Sequence, residues 1–228
     1  MEILILNLLS RPDRLTHILK ECDKLEFLNK EPIVIEAISP LSSEFIPSSY
    51  DFNSLININN RFNINMYALN QSMVKVFEYA KSNNIDSFLL LEDDTTFFNN
   101  VEYRLNHILN INIDYDVIQL SSYHYFRPEY FHSDLYKVSG SWLANMNIYN
   151  HTSYDKCLDL LKQERPFDLS LGMCKYLKHG LKIYAYNFNL AHGGKFDSDI
   201  AENPEIVPED ITTHNEIIPY EILNSNKG

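Results

Sequence analysis

Residues 88–98 read FLLLEDDTTFF. An apolar run ends in three consecutive acids, Glu92, Asp93 and Asp94, and two threonines and two phenylalanines follow. Like charges this close repel, and burial sharpens the repulsion. Such a triplet at a strand end calls for a positive partner or for water. Two carboxylates there can hold a hard divalent cation, Mg2+ or Mn2+, which takes oxygen ligands and draws the rest of its shell from waters and a substrate diphosphate. The cation would then neutralise charge growing on a leaving phosphate. The plainer alternative is a solvated turn in which Asp94 or Thr95 caps the segment that follows.

The acids need elements to position them. EILILNLL reads as a buried first strand running into the polar loop SRPDR, and Pro12 suits the first turn of the helix PDRLTHILKECDKL. EPIVIEAI is a second strand, and residues 39 to 63, rich in Ser, Asn and Pro, read as a long loop. NMYALNQSMVKVFEYAKSNN is an amphipathic helix. DSFLLLEDD is a third strand, whose continuous apolar run suits burial on both faces. A helix VEYRLNHILNI and a fourth strand YDVIQLSS come next. LYKVSGSWLANMNIYN is strand-like with a break at Gly140. Two helices, TSYDKCLDLLKQE and RPFDLSLGMCKYLKHG, precede a last strand LKIYAYNFNLAHGG. Strands alternating with helices predict an α/β fold, a mostly parallel open sheet with helices on both faces. Ligands in such folds sit at the carboxyl ends of the strands. The loops at Ser10 to Arg14, Ala37 to Pro40, Glu92 to Asp94 and Ser121 to Tyr123 are expected to converge there. A single domain over residues 1–203 is predicted, with 204–228 a tail that wraps or is flexible.

FLLLEDDTT also resembles the phosphatase pattern of a strand followed by Asp-x-Asp-x-Thr. The nucleophile would fall on Glu92, one methylene too long for in-line attack. Two strands also precede the motif, whereas the phosphatase pattern sits on the first. A second set of pieces appears in one order along the chain: ILNLLSRPDR, VIEAISP, ALNQSMVKVFEYA, FLLLEDD, YDVIQLSS, RPFDLSL and FDSDI. This ordered set resembles glycosyltransferase family 25, which includes lipooligosaccharide and collagen galactosyltransferases. The resemblance covers the chain to about Asn203. In the helix before the acids, Ser72 matches the family's Ser-His, while Met73 stands at the His position and the Gly-Cys is unmatched.

The resemblance implies a GT-A fold and transfer of a sugar from a UDP-sugar to a hydroxyl acceptor on a glycan, metal-assisted and inverting, as in lipopolysaccharide biosynthesis. Glu92 or Asp93 would face the donor ribose or sugar. Asp94, with Glu92, would bind Mn2+ or Mg2+ as in a DxD-like motif. Arg11 and Arg14 would hold the nucleotide or its phosphates, with Asn7, Ser10, Ala37, Ser198 and Asp199 on the donor side. His192, after the last strand, is a candidate third metal ligand or a structural histidine. Gly193 and Gly194 would allow close backbone approach or form a plain turn. Asp168 is an N-cap, a general base for the acceptor hydroxyl, or both. Lys195 could meet a phosphate or be solvated, and Lys175, Lys178 and Lys182 fit an exposed face. Trp142, Tyr123 and Tyr125 could stack on acceptor rings or belong to the core. The alternatives are a nucleotide-sugar-binding module without catalysis, or the phosphatase.

Composition sets the outer limits. The chain has 228 residues, 45% of them hydrophobic and 22% charged, as in an ordinary globular protein. A net charge of −12 argues against an electrostatic grip on nucleic acid or anionic lipid. Cys22, Cys157 and Cys174 have no zinc-ligand spacing and read as reduced thiols. No apolar run approaches the ~18 residues of a membrane span, and the first residues lack the pattern of a secretory leader. A cytoplasmic location is the expectation.

Overall fold

The structure, a computed structural model, describes residues 1–46, 60–124, 126–142, 145–162, 167–172, 179–193 and 196. Ser198, Asp199, Cys174, Lys175, Lys178, Gly194, Lys195, Tyr125 and the tail 204–228 lie outside the described residues.

The first half of the chain alternates as expected. Strand β1 (Glu2–Asn7) leads to α1 (Pro12–Cys22), which begins at the expected proline. Strand β2 (Ile33–Glu36) is followed by α2 (Asn60–Ser82) and β3 (Ser87–Glu92). β1 lies between β2 and β3, parallel to both. The register sets Leu6 beside Glu92 and Asn7 beside Glu36, so the three carboxyl ends finish level. After the acids come a short β4 (Thr96–Phe97) and α3 (Val101–Leu109). The alternative in which Asp94 or Thr95 caps the next segment is therefore corrected, because a strand follows them.

The second half departs from simple alternation. β5 (Val117–Gln119), β6 (Tyr123–His124), β7 (Glu129–His132), β8 (Leu135–Lys137), β9 (Ser141–Trp142) and β10 (Met146–Asn150) follow without a helix between them. α4 (Tyr154–Leu161), α5 (Phe167–Gly172), β11 (Ile183–Tyr186) and β12 (Ala191–His192) complete the chain. The main sheet has eight strands in the order β2-β1-β3-β10-β5-β11-β8-β7. β8 and β10 run against the rest. The run with the expected break at Gly140 divides further, into β8, β9 and β10. The last run, expected as one strand, yields β11 and β12, with β12 pairing β4 outside the main sheet. β7 and β8 are joined by Ser133 and Asp134 alone, too short for a crossover, so that pair is antiparallel.

The strands separate two cores by alternation. Leu4, Leu6, Phe88, Leu90 and Tyr149 face α2, α4 and α5. Ile3, Ile5, Leu89, Leu91 and Ile148 face α1 and α3. Cys22 and Cys157 are buried free thiols. Among the described residues no helix is long and apolar enough to cross a membrane.

Short α5 is held at both ends. Its first amide, Phe167 N, donates to the buried Asn70 Oδ1 of α2 at 3.1 Å. At its far end, a Cβ on Gly172 would lie 2.1 Å from the Ser141 carbonyl oxygen of β9. Backbone cannot yield to that contact. Gly172→Ala is expected to destabilise the fold by at least about 1–3 kcal/mol, measured as a lower urea midpoint at unchanged slope.

Candidate functional site

The acidic turn gives its carboxylates different surroundings. Asp93 turns inward. Its carboxylate accepts from Asn7 Nδ2 at 2.7 Å and from an Arg14 guanidinium nitrogen at 3.2 Å. All three residues are buried. Asn7 ends β1, and Arg14 stands in the first turn of α1, so the pair ties the first strand and helix to the third strand. A buried ion pair is tolerated when further hydrogen bonds satisfy it, and Asn7 supplies one.

The turn itself is closed by Thr95 N donating to Glu92 O at 3.1 Å. The Asn145 carbonyl, just before β10, accepts from Glu92 N at 3.1 Å and from Thr95 Oγ1 at 3.0 Å. From α1, His17 Nε2 lies 3.1 Å from the Thr95 carbonyl and 3.0 Å from Thr96 Oγ1, and Glu21 accepts from Phe97 N at 2.7 Å. The acids therefore sit on a turn braced by α1 on one side and β10 on the other.

Glu92, Asp93 and Asp94 line a cleft of about 400 Å3 with Ser10, Arg14 and Ala37. Its far wall is less polar, with Ile38, Pro40, Leu41, Ala68 and Leu69. That wall is fixed to α2. Ile38 N donates to Ser72 Oγ at 2.8 Å, and Gln71 exchanges two hydrogen bonds with the Ile46 backbone. Burial pushes the Glu92 carboxyl well above the usual carboxylate range, and the charges of Asp94, Asp168 and Asp93 push it further, against Arg14. Asp168 thus acts on Glu92 although it does not line the cleft; it stands half-buried in the first turn of α5.

Other expected residues are placed differently. Arg11 forks onto Asp13 at 3.2 and 3.1 Å and does not line the cleft. His192 lies opposite Thr96, with Nδ1 2.9 Å from the Gly193 carbonyl and its ring 5.0 Å from Phe98. Among the described residues no three His, Cys, Asp or Glu side chains form a group that could hold a metal ion. Asp94 and Glu92 are together at the cleft, but His192 does not complete a protein-only shell with them. The loop from Ser121 to Tyr123 does not join the cleft. Ser121 Oγ donates to Ala191 O at 3.0 Å, and Ser122 is bonded to Asn189. β10 stands between β3 and β5 and separates the two loops.

Three contributors escaped the sequence reading. Asn145 supplies the carbonyl that anchors the acidic turn. A Cβ on Gly193 would lie 2.7 Å from Asn145 Nδ2 and 3.7 Å from Asp94 Oδ2, so a side chain there would displace the Asn145 amide. Phe196 opens the FDSDI stretch. Its ring lies 5.2 Å from His17, 5.8 Å from the Arg14 guanidinium and 6.0 Å from that of Arg11. In sequence, Phe196 is marked only by its place at the head of the acidic FDSDI stretch. Asn70, which seats α5, looks in sequence like any polar helix residue.

The profile of glycosyltransferase family 25, described as LPS biosynthesis protein, matches residues 1–165. The chain belongs to glycosyltransferase family 25. Sugar transfer in general follows from that membership, and the phosphatase alternative is set aside. The family and the α/β sheet agree with the GT-A type implied by the resemblance. No curated protein matches the chain in sequence. Several solved structures are similar in fold. One is a glycosyltransferase involved in glycosylation of the major capsid of PBCV-1, at 8% identity, covering 81% of this chain and 80% of that one, TM-score 0.48. Another is a UDP-glucose pyrophosphorylase complexed with UDP-glucose, at 13% identity, 84% and 92% coverage, TM-score 0.47. A third is a mutant Drosophila beta-1,4-galactosyltransferase 7 with manganese, UDP-Gal and xylobiose, at 10% identity, 98% and 79% coverage, TM-score 0.43. None reaches 0.5, and they bear on neither activity nor ligand.

Two outcomes are expected from the acidic turn. Arg14→Met leaves Asp93 buried without its cation and should cost roughly 3–5 kcal/mol in denaturant unfolding; adding Asp93→Asn should recover much of that. Glu92→Gln should raise the melting temperature in EDTA at pH 7. A carboxyl raised in the folded state costs stability as pH rises from the ordinary carboxylate range toward its folded value. The gain should therefore fade as pH falls through 4.5, the ordinary value for Glu, below which both states are protonated.

Proposed function

We propose that this family 25 chain transfers a hexose, galactose or glucose, from a UDP-sugar to a hydroxyl on a glycan or glycoconjugate, with inversion. The observation that carries this reading is the cleft at the level ends of β1, β2 and β3. One side offers Glu92 and Asp94, and the other is an apolar wall suited to a flat base. Ser10, Ala37 and Arg14 face a donor from the walls, with Asn7 and Asp93 holding Arg14 in place. Arg11, Ser198 and Asp199 are further proposed donor contacts, by resemblance to the family.

The donor set suits a hard cation. Glu92 and Asp94 present only oxygen, and the crowding that raises the Glu92 carboxyl is of the kind a positive charge relieves. Bound there, Mn2+ or Mg2+ would supply positive charge against the diphosphate leaving group. His192 is a proposed additional ligand. Asp168 is the proposed base. It would take the acceptor hydroxyl proton while that oxygen bonds to the anomeric carbon and the bond to the UDP oxygen breaks. Its charge reaches Glu92, and the first amide of its helix is held by Asn70, which supports this role.

Calorimetry should show UDP binding more tightly with Mn2+ than in EDTA; equal affinities would remove the metal. Asp94→Asn should weaken metal-dependent UDP binding. Asp168→Asn should leave that binding near wild type yet slow transfer by roughly 10²-fold or more. Normal transfer in Asp168→Asn would reduce Asp168 to a helix cap.

A further inference from the structure

Two amide side chains lie side by side in the core. Gln119 of β5 is directly opposite Asn147 of β10, and Asn147 is directly opposite Leu90 of β3 on its other side. Directly opposed residues of an antiparallel pair share a face, with Cβ atoms about 4.5–5.5 Å apart. Leu90 faces α2, α4 and α5, so the two amides do too. Both residues are buried, Gln119 at 1% exposure and Asn147 at 0%. Each amide has one end engaged. Ser141 Oγ, in the two-stranded ribbon that β9 forms with β6, donates to Gln119 Oε1 at 2.8 Å. Asn147 Nδ2 donates to the hydroxyl of buried Tyr149 at 3.2 Å. The other ends, Gln119 Nε2 and Asn147 Oδ1, are buried and have no hydrogen-bond partner among the described residues.

We infer that Gln119 Nε2 and Asn147 Oδ1 hold one internal water molecule between them. One of these atoms is a donor and the other an acceptor. A single water satisfies such a pair by accepting one hydrogen bond and donating another. A cation would meet the amide hydrogens of Gln119, and an apolar group would leave both atoms unpaired. The two heads do not bond each other, because each is turned to a different neighbour, Tyr149 along β10 and Ser141 on β9. The water completes a file that runs from Tyr149 through Asn147, the water and Gln119 to Ser141. That file ties β10, whose leading Asn145 carbonyl braces the acidic turn, to the residue whose carbonyl meets Gly172 of α5. The inference does not depend on the transfer proposed above. Neither amide lines the cleft.

A crystal structure of the full chain, at a resolution that shows ordered water, is the direct test. It should show one water at hydrogen-bonding distance, about 2.7–3.2 Å, from both Gln119 Nε2 and Asn147 Oδ1. Oxygen-17 relaxation dispersion of the solvent counts long-lived internal waters in solution. The double variant Gln119→Met, Asn147→Leu keeps the volume of both side chains and removes both partners. It should lose one such water relative to wild type. In urea unfolding, the double variant should lose less than the two single variants summed, because the water is given up only once. A direct Gln119–Asn147 hydrogen bond, or no water density between the two amides, would overturn the site. So would an unchanged dispersion signal in the folded double variant. Should the variants fail to fold, the wild-type crystal structure still decides.

Discussion

The buried contact of Asp93 with Arg14 and Asn7 is the constraint on which the site depends. Three acids in a row cannot all face one cavity without mutual repulsion. Turning the middle one inward, onto a guanidinium and an amide, relieves part of that cost. It also ties β1, α1 and β3 together at the end where a ligand would enter. Arg14 is thereby committed to the protein's own charge before any phosphate arrives. The chain holds one acid in reserve as structure and leaves Glu92 and Asp94 for the cleft.

The surroundings follow from that division. α1 braces the turn through His17 and Glu21, and the Asn145 carbonyl braces it from β10. Supported on both sides, the turn can keep a carboxyl in unfavourable company. Glu92 shows the cost as a raised tendency to hold its proton. Positive charge placed there would relieve that crowding.

Much of this was legible in the sequence. The apolar run of β3, the helix started by Pro12 and the convergence of three loops all follow from local patterns. Alternation does not encode strand direction, so the antiparallel entry of β10 between β3 and β5 is not legible in it. That insertion is why the Ser121 loop stands away from the acids. Arg14 and Arg11 looked equivalent in SRPDR, yet one is buried on Asp93 and the other forks onto Asp13. Only tertiary packing distinguishes them. Asn70 and Asn145 act through a side-chain oxygen and a backbone carbonyl that no motif marks.

The antiparallel strand has a further consequence. With β10 set between β3 and β5, the walls of the cleft come from residues before 95, and the ribbon and α5 come from residues after 122. The two stretches meet along the full β3–β10 pairing and in both cores, with Asn145 on the turn and Asn70 on α5 as further ties. On the reading proposed here, the earlier stretch grips the donor and the later one, through Asp168, faces the acceptor. Substitutions in the later stretch that spare the β3–β10 pairing would then change the glycan that is modified while leaving the nucleotide grip in place.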